Sequence, residues 1–245
     1  MVSPNAEGLI SSLNVNIKLE ELLENGVHFG HRTYRWNPKM KPFIYGKKEG
    51  IYIINIQKTL EMLVKAMEFV EKAGEQGLIP LYVCTKKQGK GIIKEYAEKA
   101  GAYYVTERWL GGLLTNFETI RTRIEKMREI EKMKEDKRLE KYPKKEQQNI
   151  LKVYQKLVKN LGGVREMFEL PGFIYIIDPC KEELAVKEAR KLKIPIIALI
   201  DTDGDPEIVD YPIPGNDDAM KSIEFITKVI TESYLRGKAK IKEER

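Results

Sequence analysis

The chain has 245 residues, enough for one substantial core, and its 42% hydrophobic content is typical of a globular protein and excludes a disordered one. Charged residues reach 33%, and the net charge of +6 with a pI near 9.0 favours an anionic partner. Two cysteines exclude a disulfide framework, and no apolar run approaches the roughly 20 residues needed to cross a bilayer. The first thirty residues lack a basic start followed by an apolar stretch, so we expect a cytosolic protein.

Five short apolar runs have the length and the Ile, Val and Tyr content of buried strands. Runs that do not alternate with polar residues are typical of a parallel sheet that is covered on both faces. The predicted strands are residues 50–55, 78–85, 103–106, 173–178 and 195–201.

Helical stretches alternate with these strands. Their apolar residues recur at helical spacing, and Asn216 or Asp217 is a suitable N-cap for the last helix. Strand and helix in alternation imply right-handed crossovers and a doubly wound α/β sheet that is mostly parallel. The predicted helices are residues 56–75, 90–100, 181–192 and 217–235.

Residues 118–160 interrupt this alternation, because they contain no strand pattern. Two narrow apolar stripes flank Pro143, which predicts two antiparallel helices that form a coiled-coil hairpin. The predicted domains are therefore a discontinuous α/β domain, a hairpin and a basic flexible tail. They cover residues 1–117 with 161–235, residues 118–160 and residues 236–245.

The predicted hairpin carries the entire net charge of the chain. Residues 118–160 contain 14 Lys or Arg and 8 Asp or Glu, whereas the remaining chain contains 29 of each. A solvated helix surface with mixed charges is one interpretation. The excess of positive charge favours the other, which is contact with a polyanion.

The most informative stretch is residues 26–48, which combines six Lys or Arg residues and five aromatic residues with no acidic residue. Pro38 and Pro42 disfavour a regular helix here. Cations bind phosphates and planar side chains stack on unpaired bases, so the stretch predicts contact with RNA. The alternative is an ordinary loop whose aromatic side chains pack into the core. The candidate RNA-binding residues here are Arg32, Tyr34, Arg35, Trp36, Lys39, Lys41, Lys47 and Lys48.

A second basic segment, residues 85–91, lies between a predicted strand and a predicted helix, where the backbone amides of an α/β fold favour anions. The glycine spacing is wrong for a dinucleotide loop, because Lys94 stands where the third glycine belongs. We expect contact with RNA phosphates, and nucleotide binding is the alternative. The candidate residues are Lys86, Lys87 and Lys90.

Residues 108–117 follow the short strand predicted at 103–106. Gly111 and Gly112 permit a turn that larger side chains would block, and Trp109 is expected to pack beneath it. Arg108 is the candidate RNA-binding residue. The alternative is a structural corner at the foot of the hairpin.

An acidic turn at residues 201–206 contains Asp201, Asp203 and Asp205. Pro206 and Pro212 stand where an EF-hand loop requires Gly and Glu, which excludes that motif. A water-rich Mg²⁺ site and a turn whose carboxylates cap backbone amides remain as alternatives.

The sequence gives no support for a zinc site, a cofactor or a catalytic residue. His28 and His31 are the only histidines, and they lie far in sequence from Cys84 and Cys180, which disfavours a zinc site. No feature marks either thiol as activated. We therefore expect a protein that is not an enzyme.

Five motifs together resemble the bacterial-type family of small-subunit ribosomal protein S2, in that family's order and spacing. They are Gly26-Val-His-Phe-Gly-His31, Trp36-Asn-Pro-Lys-Met-Lys-Pro-Phe-Ile44, Arg108-Trp-Leu-Gly-Gly-Leu-Leu-Thr-Asn116, Leu161-Gly-Gly163 and Ile213-Pro-Gly-Asn-Asp-Asp-Ala219. The likeness extends over residues 19–235.

The resemblance implies a flavodoxin-like α/β domain with an inserted coiled-coil hairpin. It also implies a structural ribosomal protein that binds small-subunit ribosomal RNA between head and body and supports translation. The implied partners include neighbouring small-subunit proteins, above all the large protein with several OB domains that recruits messenger RNA.

Two other functions compete with a ribosomal scaffold. One is a nucleotide-dependent enzyme on the same sheet, since a fold does not dictate a function. The missing third glycine and the basic, aromatic stretch disfavour it. The other is a free RNA-binding regulator, which sedimentation with ribosomal subunits would distinguish from a ribosomal protein.

Overall fold

The computed structural model describes residues 17–243, with the side chains of residues 242 and 243 left aside. The predicted domain ends at residues 1–16 and 244–245 lie outside the described residues. The first elements are a short helix, three strands and a 3₁₀ helix at Pro38–Phe43 between the first two strands. They are α1 at Leu19–Glu24, β1 at Phe29–Arg32, β2 at Ile44–Lys48 and β3 at Ile51–Ile54.

These three strands form a separate antiparallel sheet in the order β1-β3-β2. The prediction that residues 50–55 belong to the parallel sheet is therefore wrong. Glu49 and Gly50 join β2 to β3 with φ angles of 50° and 78°. Two positive φ angles in a two-residue turn match the twist of a β-hairpin. β3 therefore pairs antiparallel with β2, and no crossover takes it into the parallel sheet.

The next elements alternate as expected. They are α2 at Ile56–Glu75, β4 at Pro80–Val83, α3 at Lys90–Ala100 and β5 at Tyr103–Val105. The predicted bounds of α2 and α3 are confirmed. Asn55 explains where α2 begins, because its side chain accepts hydrogen bonds from the backbone amides of Gln57 and Lys58.

Two helices follow, α4 at Phe117–Glu135 and α5 at Lys144–Leu161, with a 3₁₀ turn at Arg138–Lys141 between them. The hydroxyl of Tyr154 on α5 donates to Glu131 on α4, at 3.0 Å. Ile120, Ile124 and Met127 are buried in the core cluster that also contains β5. The first turns of α4 therefore pack on the α/β body.

The rest of the chain completes the parallel sheet. It comprises β6 at Phe173–Ile177, α6 at Glu183–Lys191, β7 at Ile196–Ile200, β8 at Tyr211–Pro214 and α7 at Met220–Glu243. The predicted strands 173–178 and 195–201 are confirmed as β6 and β7. The sequence does not predict β8, because Pro212 and Pro214 argue against a strand. β8 lies at the edge of the sheet, where proline is tolerated.

The five-stranded sheet has the order β5-β4-β6-β7-β8 with all neighbours parallel, which fits a flavodoxin-like α/β fold. Helices α2, α3 and α7 cover one face, and α6 with the first turns of α4 covers the other. Alternate residues of β6 enter the two cores, Tyr175 on one side and Ile174 on the other.

Helix α7 continues beyond its predicted end at Leu235, since residues 236–243 are helical. The prediction of a flexible tail is therefore wrong for these residues. Gly237 lies against the backbone of Glu71 on α2. The Lys240 ammonium lies 2.6 Å from Glu71 and 2.7 Å from Glu75. The end of α7 is thus held by contacts that are remote in sequence.

Candidate nucleic-acid interface

The carboxyl edge of the parallel sheet carries a buried cluster of charges. The Lys86 ammonium, beyond the end of β4, lies 2.9 Å from Asp178, 2.5 Å from Asp217 and 2.8 Å from Asp218. Burial alone would lower the pKa of Lys86, but these carboxylates raise it above its ordinary value. Lys86 is only 8% exposed. It is therefore not free to bind a phosphate, which corrects its prediction as an RNA contact.

His31 joins the small antiparallel sheet to this cluster. Its backbone amide donates to Thr202 at 2.9 Å, and its Nδ1 lies 3.0 Å from a carboxylate oxygen of Asp201. The hydrogen bond to Asp201 raises the pKa of His31 to about 9, although burial opposes the shift. The adjacent Gly30 permits the approach, since a Cβ there would stand 2.6 Å from the Thr202 methyl group.

Three residues of the cluster could hold a divalent cation. Ligand atoms of His31, Asp201 and Asp217 lie within 4.8 Å of one another. A metal ion there would require a neutral imidazole, so it would compete with the protonated state that Asp201 favours. This set differs from the Mg²⁺ site considered at the acidic turn, because Asp205 instead accepts from the Glu207 amide and pairs with Lys39.

The acidic turn holds part of the basic stretch in place. Arg35 lies 3.0 Å from Asp203, and Lys39 lies 2.8 Å from Asp205 and 2.6 Å from Glu207. The backbone amide of Asn37, between them, donates to the Thr202 carbonyl at 2.8 Å. These contacts are the main role that the structure gives to the three carboxylates and the two cations.

The other predicted cations of the stretch face solvent. Within residues 17–243, the exposed side chains of Arg32, Lys41, Lys47 and Lys48 make no ion pair. Tyr34 and Tyr45 are 81% and 80% exposed. Trp36 is half-buried against Tyr52, with ring centroids 5.1 Å apart, so its ring is partly withdrawn from solvent.

The small sheet brings the free cations near one another. Arg32 on β1 and Lys48 on β2 both pair with Ile51 on β3, so the two lie on either side of one residue. Neighbouring strands are about 4.8 Å apart, which places the two backbones about 10 Å from each other. This arrangement leaves Lys47 and Lys48 at the end of the β2–β3 hairpin.

The model of the family described as Ribosomal protein S2 matches residues 22–237. The chain belongs to the ribosomal protein S2 family. It is therefore a structural constituent of the small ribosomal subunit, in a family whose members associate with ribosomal RNA and other ribosomal proteins and are generally not enzymes. Within residues 17–243, no helix is long and apolar enough to span a membrane.

The remaining candidate RNA-binding residues of this S2-family protein lie on two further segments, residues 85–91 and 108–117. Lys87 and Arg108 are exposed, and within the described residues neither makes an ion pair. Lys90 is partly exposed and pairs with Glu107 at 3.1 Å. Gly89 packs against the Cys84 sulfur, 2.5 Å from where a Cβ would stand, so it serves packing.

Glu188 on α6 has a role that was not predicted from the sequence. Its carboxylate accepts hydrogen bonds from the backbone amides of Gly112, Leu114 and Thr115, at 2.7, 3.0 and 3.0 Å. The indole of Trp109 donates to it as well, at 3.0 Å. Burial would raise the pKa of Glu188, but these donors hold it below its ordinary value. The signal in the sequence that could have indicated this role is a glutamate that lies between Ala185 and Ala189, both of which are buried.

Proposed function

We propose that this chain binds small-subunit ribosomal RNA chiefly through the antiparallel sheet and its basic segment, residues 26–48. The observation that carries the proposal is a set of four exposed cations, unpaired in the part of the chain that the structure describes, beside two exposed tyrosines. Phosphate oxygens attract the cations, and tyrosine rings stack on unpaired bases or ribose. The RNA-contacting side chains are Arg32, Tyr34, Lys41, Tyr45, Lys47 and Lys48, with Lys87 and Arg108 on the neighbouring segments.

The paired cations have a different role in this proposal. Arg35 and Lys39 hold the segment on the acidic turn, because each already lies within 3.0 Å of a carboxylate. A surface that is held in its binding shape before contact loses less entropy when it binds. Arg35 and Lys39 therefore contribute mainly by positioning their neighbours.

The helical pair supplies the second basic surface. We propose that residues 118–160 form a coiled-coil hairpin domain inserted in a discontinuous α/β domain, as the resemblance implies. Its excess of six positive charges supports contact with a polyanion. The proposed location is the ribosome of the cytoplasm, between the head and the body of the small subunit.

The helical pair also offers a surface for a protein partner. A groove of about 350 Å³ is lined by the aliphatic side chains of Leu110, Val153 and Leu157, with Lys126 and Lys156 beside them. Such a groove fits an acidic segment that has apolar anchors. It supports the proposal that the chain helps dock the large messenger-RNA-recruiting ribosomal protein.

A nucleotide-dependent enzyme is the weaker candidate. Open α/β sheets bind nucleotides at the carboxyl edge of the strands. Asp178 and Asp217 occupy that edge and already pair with Lys86, so its ammonium is not available to a phosphate. We expect isothermal titration calorimetry to detect no micromolar binding of NAD or ATP, and such binding would refute this part of the proposal.

The main experiment measures RNA affinity across a salt series. Replacing Arg32, Lys41, Lys47 and Lys48 with Ala should flatten the salt dependence by roughly 0.7 to 0.9 per lost phosphate contact, or about 3 in total. The matched control replaces four other exposed lysines that make no ion pair within the described residues, Lys65, Lys72, Lys191 and Lys221. Equal salt slopes for the two quadruple variants would contradict the proposed interface.

The tyrosines test the stacking contribution separately. Tyr34→Ala and Tyr45→Ala should each weaken RNA binding by about 1–3 kcal/mol without changing the salt slope, because stacking releases no counterions. Sedimentation of the wild-type chain with small subunits then distinguishes a ribosomal constituent from a free regulator. Recovery only in the unbound fraction would refute the ribosomal role.

A further inference from the structure

One buried carboxylate shapes the whole segment that connects β5 to α4. Glu188 is 8% exposed, and both of its oxygens accept hydrogen bonds from residues 109–115. The Thr115 hydroxyl donates a fifth hydrogen bond, at 3.1 Å. Five donors from one stretch of seven residues therefore converge on a side chain that is remote in sequence.

All five groups that donate to Glu188 are neutral. The negative charge of its carboxylate is therefore compensated by hydrogen bonds from residues 109–115. Consecutive backbone amides directed at one point form a concave anion site. Gly112 has a φ angle of 84°, the left-handed conformation that lets the segment curve around the carboxylate. Without a negative charge at that point, the three amides of Gly112, Leu114 and Thr115 would be left partly unsatisfied.

The segment occupies a position that links three surfaces. Arg108, a proposed RNA contact, immediately precedes it, and α4 begins two residues after Thr115. Trp109 and Leu114 are buried in the cluster that contains Ile120 on α4. Residues 109–115 therefore pack against the first turn of α4, next to the point where α4 leaves the body.

We propose that Glu188 is a positioning residue that fixes the direction of the α4–α5 pair, and the place of Arg108, relative to the parallel sheet. The inference rests on the proposed function, because its consequence is that two basic surfaces meet one RNA in a single geometry. A charged anchor achieves this better than apolar packing, since hydrogen bonds to a carboxylate constrain direction as well as distance.

Glu188→Gln is the primary test, because it preserves size and removes charge. A glutamine has one acceptor oxygen, and its NH₂ group would face amides that are themselves donors. Trp109→Phe is a milder second variant that removes one donor and keeps an aromatic ring. The matched control is Glu182→Gln, a buried glutamate of the same region that accepts from the Thr85 amide, at 2.9 Å, and holds a different loop.

The readout is the distance between two spin labels, measured by pulsed electron resonance. Labels at Gln148→Cys on α5 and Lys65→Cys on α2 report the direction of the helical pair, in a Cys180→Ser background that removes the exposed native thiol. The wild-type background should give one narrow distance distribution. Glu188→Gln should broaden or shift it, Trp109→Phe should do so less, and Glu182→Gln should leave it unchanged.

Affinity for small-subunit ribosomal RNA completes the test. We expect Glu188→Gln to lose about tenfold in affinity. A narrow, unshifted distribution in both Glu188→Gln and Trp109→Phe would overturn the inference, as would a broadened distribution with unchanged affinity. Failure of the wild-type chain to bind this RNA would instead refute the proposed function, and the distance measurement would still decide the positioning role.

Discussion

Replacing Gly237 with Ala tests whether the end of α7 belongs to the folded body. Gly237 lies where α7 crosses α2, and a Cβ at this position would stand 2.0 Å from the carbonyl oxygen of Glu71 and 3.0 Å from the amide nitrogen of Glu75. Both of those atoms belong to the backbone, so no side-chain rotation can relieve the clash. The two helices would have to move apart by about 1.4 Å or more to restore ordinary contact.

The magnitude follows from two opposing contributions. Overpacking of a close contact costs up to about 3 kcal/mol, and the greater helix propensity of Ala returns about 1 kcal/mol. We therefore expect Gly237→Ala to lower the free energy of unfolding by about 2 kcal/mol. For a chain of this length, that corresponds to a fall in Tm of roughly 4–8 °C.

Differential scanning calorimetry measures the effect, with Gly91→Ala as the matched control. Gly91 also lies in a helix, but a Cβ there would have no neighbour within 4 Å, so we expect a gain of about 0.5 kcal/mol. Gly74→Ala, on the α2 side of the same crossing, should be destabilising like Gly237→Ala. A Gly237→Ala protein as stable as wild type would refute the close packing of α7 on α2.

Two other predictions concern the charge cluster and the helical pair. Since Asp201 raises the pKa of His31 to about 9 in the folded state, the stability from this pair is complete below pH 6.5 and is lost as the pH rises through 9. The Tm of wild type should therefore fall more between pH 6.5 and 9.5 than that of His31→Gln, and parallel Tm profiles would contradict this. Replacing residues 136–149 with a short Gly-Ser linker should leave Tm nearly unchanged. Deletion of residues 118–160 should lower Tm, because it removes the three side chains of this segment that are buried in the core cluster of the body, Ile120, Ile124 and Met127, at about 2–5 kcal/mol each. Equal Tm values for the two deletion proteins would show that α4 does not stabilise the body.

The amino-acid sequence by itself determined the elements whose patterns are local. Continuous apolar runs predicted β4, β6 and β7, because a strand buried on both faces needs no polar alternation. Helical spacing predicted the bounds of α2. The excess of cations over acids in residues 26–48 was likewise visible without any structure.

Only the tertiary structure decided how those cations are used. Lys86 meets Asp217 across 131 positions of sequence, and Lys39 meets Asp205 across 166. Whether a lysine is free for a phosphate depends on the carboxylates that the fold brings to it, and no pattern of neighbouring residues records that pairing. Glu188 escaped notice for the same reason, because its five donors come from a segment more than 70 residues earlier in the chain. Local spacing reports which face of a helix is buried, whereas the partners of a buried charge depend on how distant elements pack together.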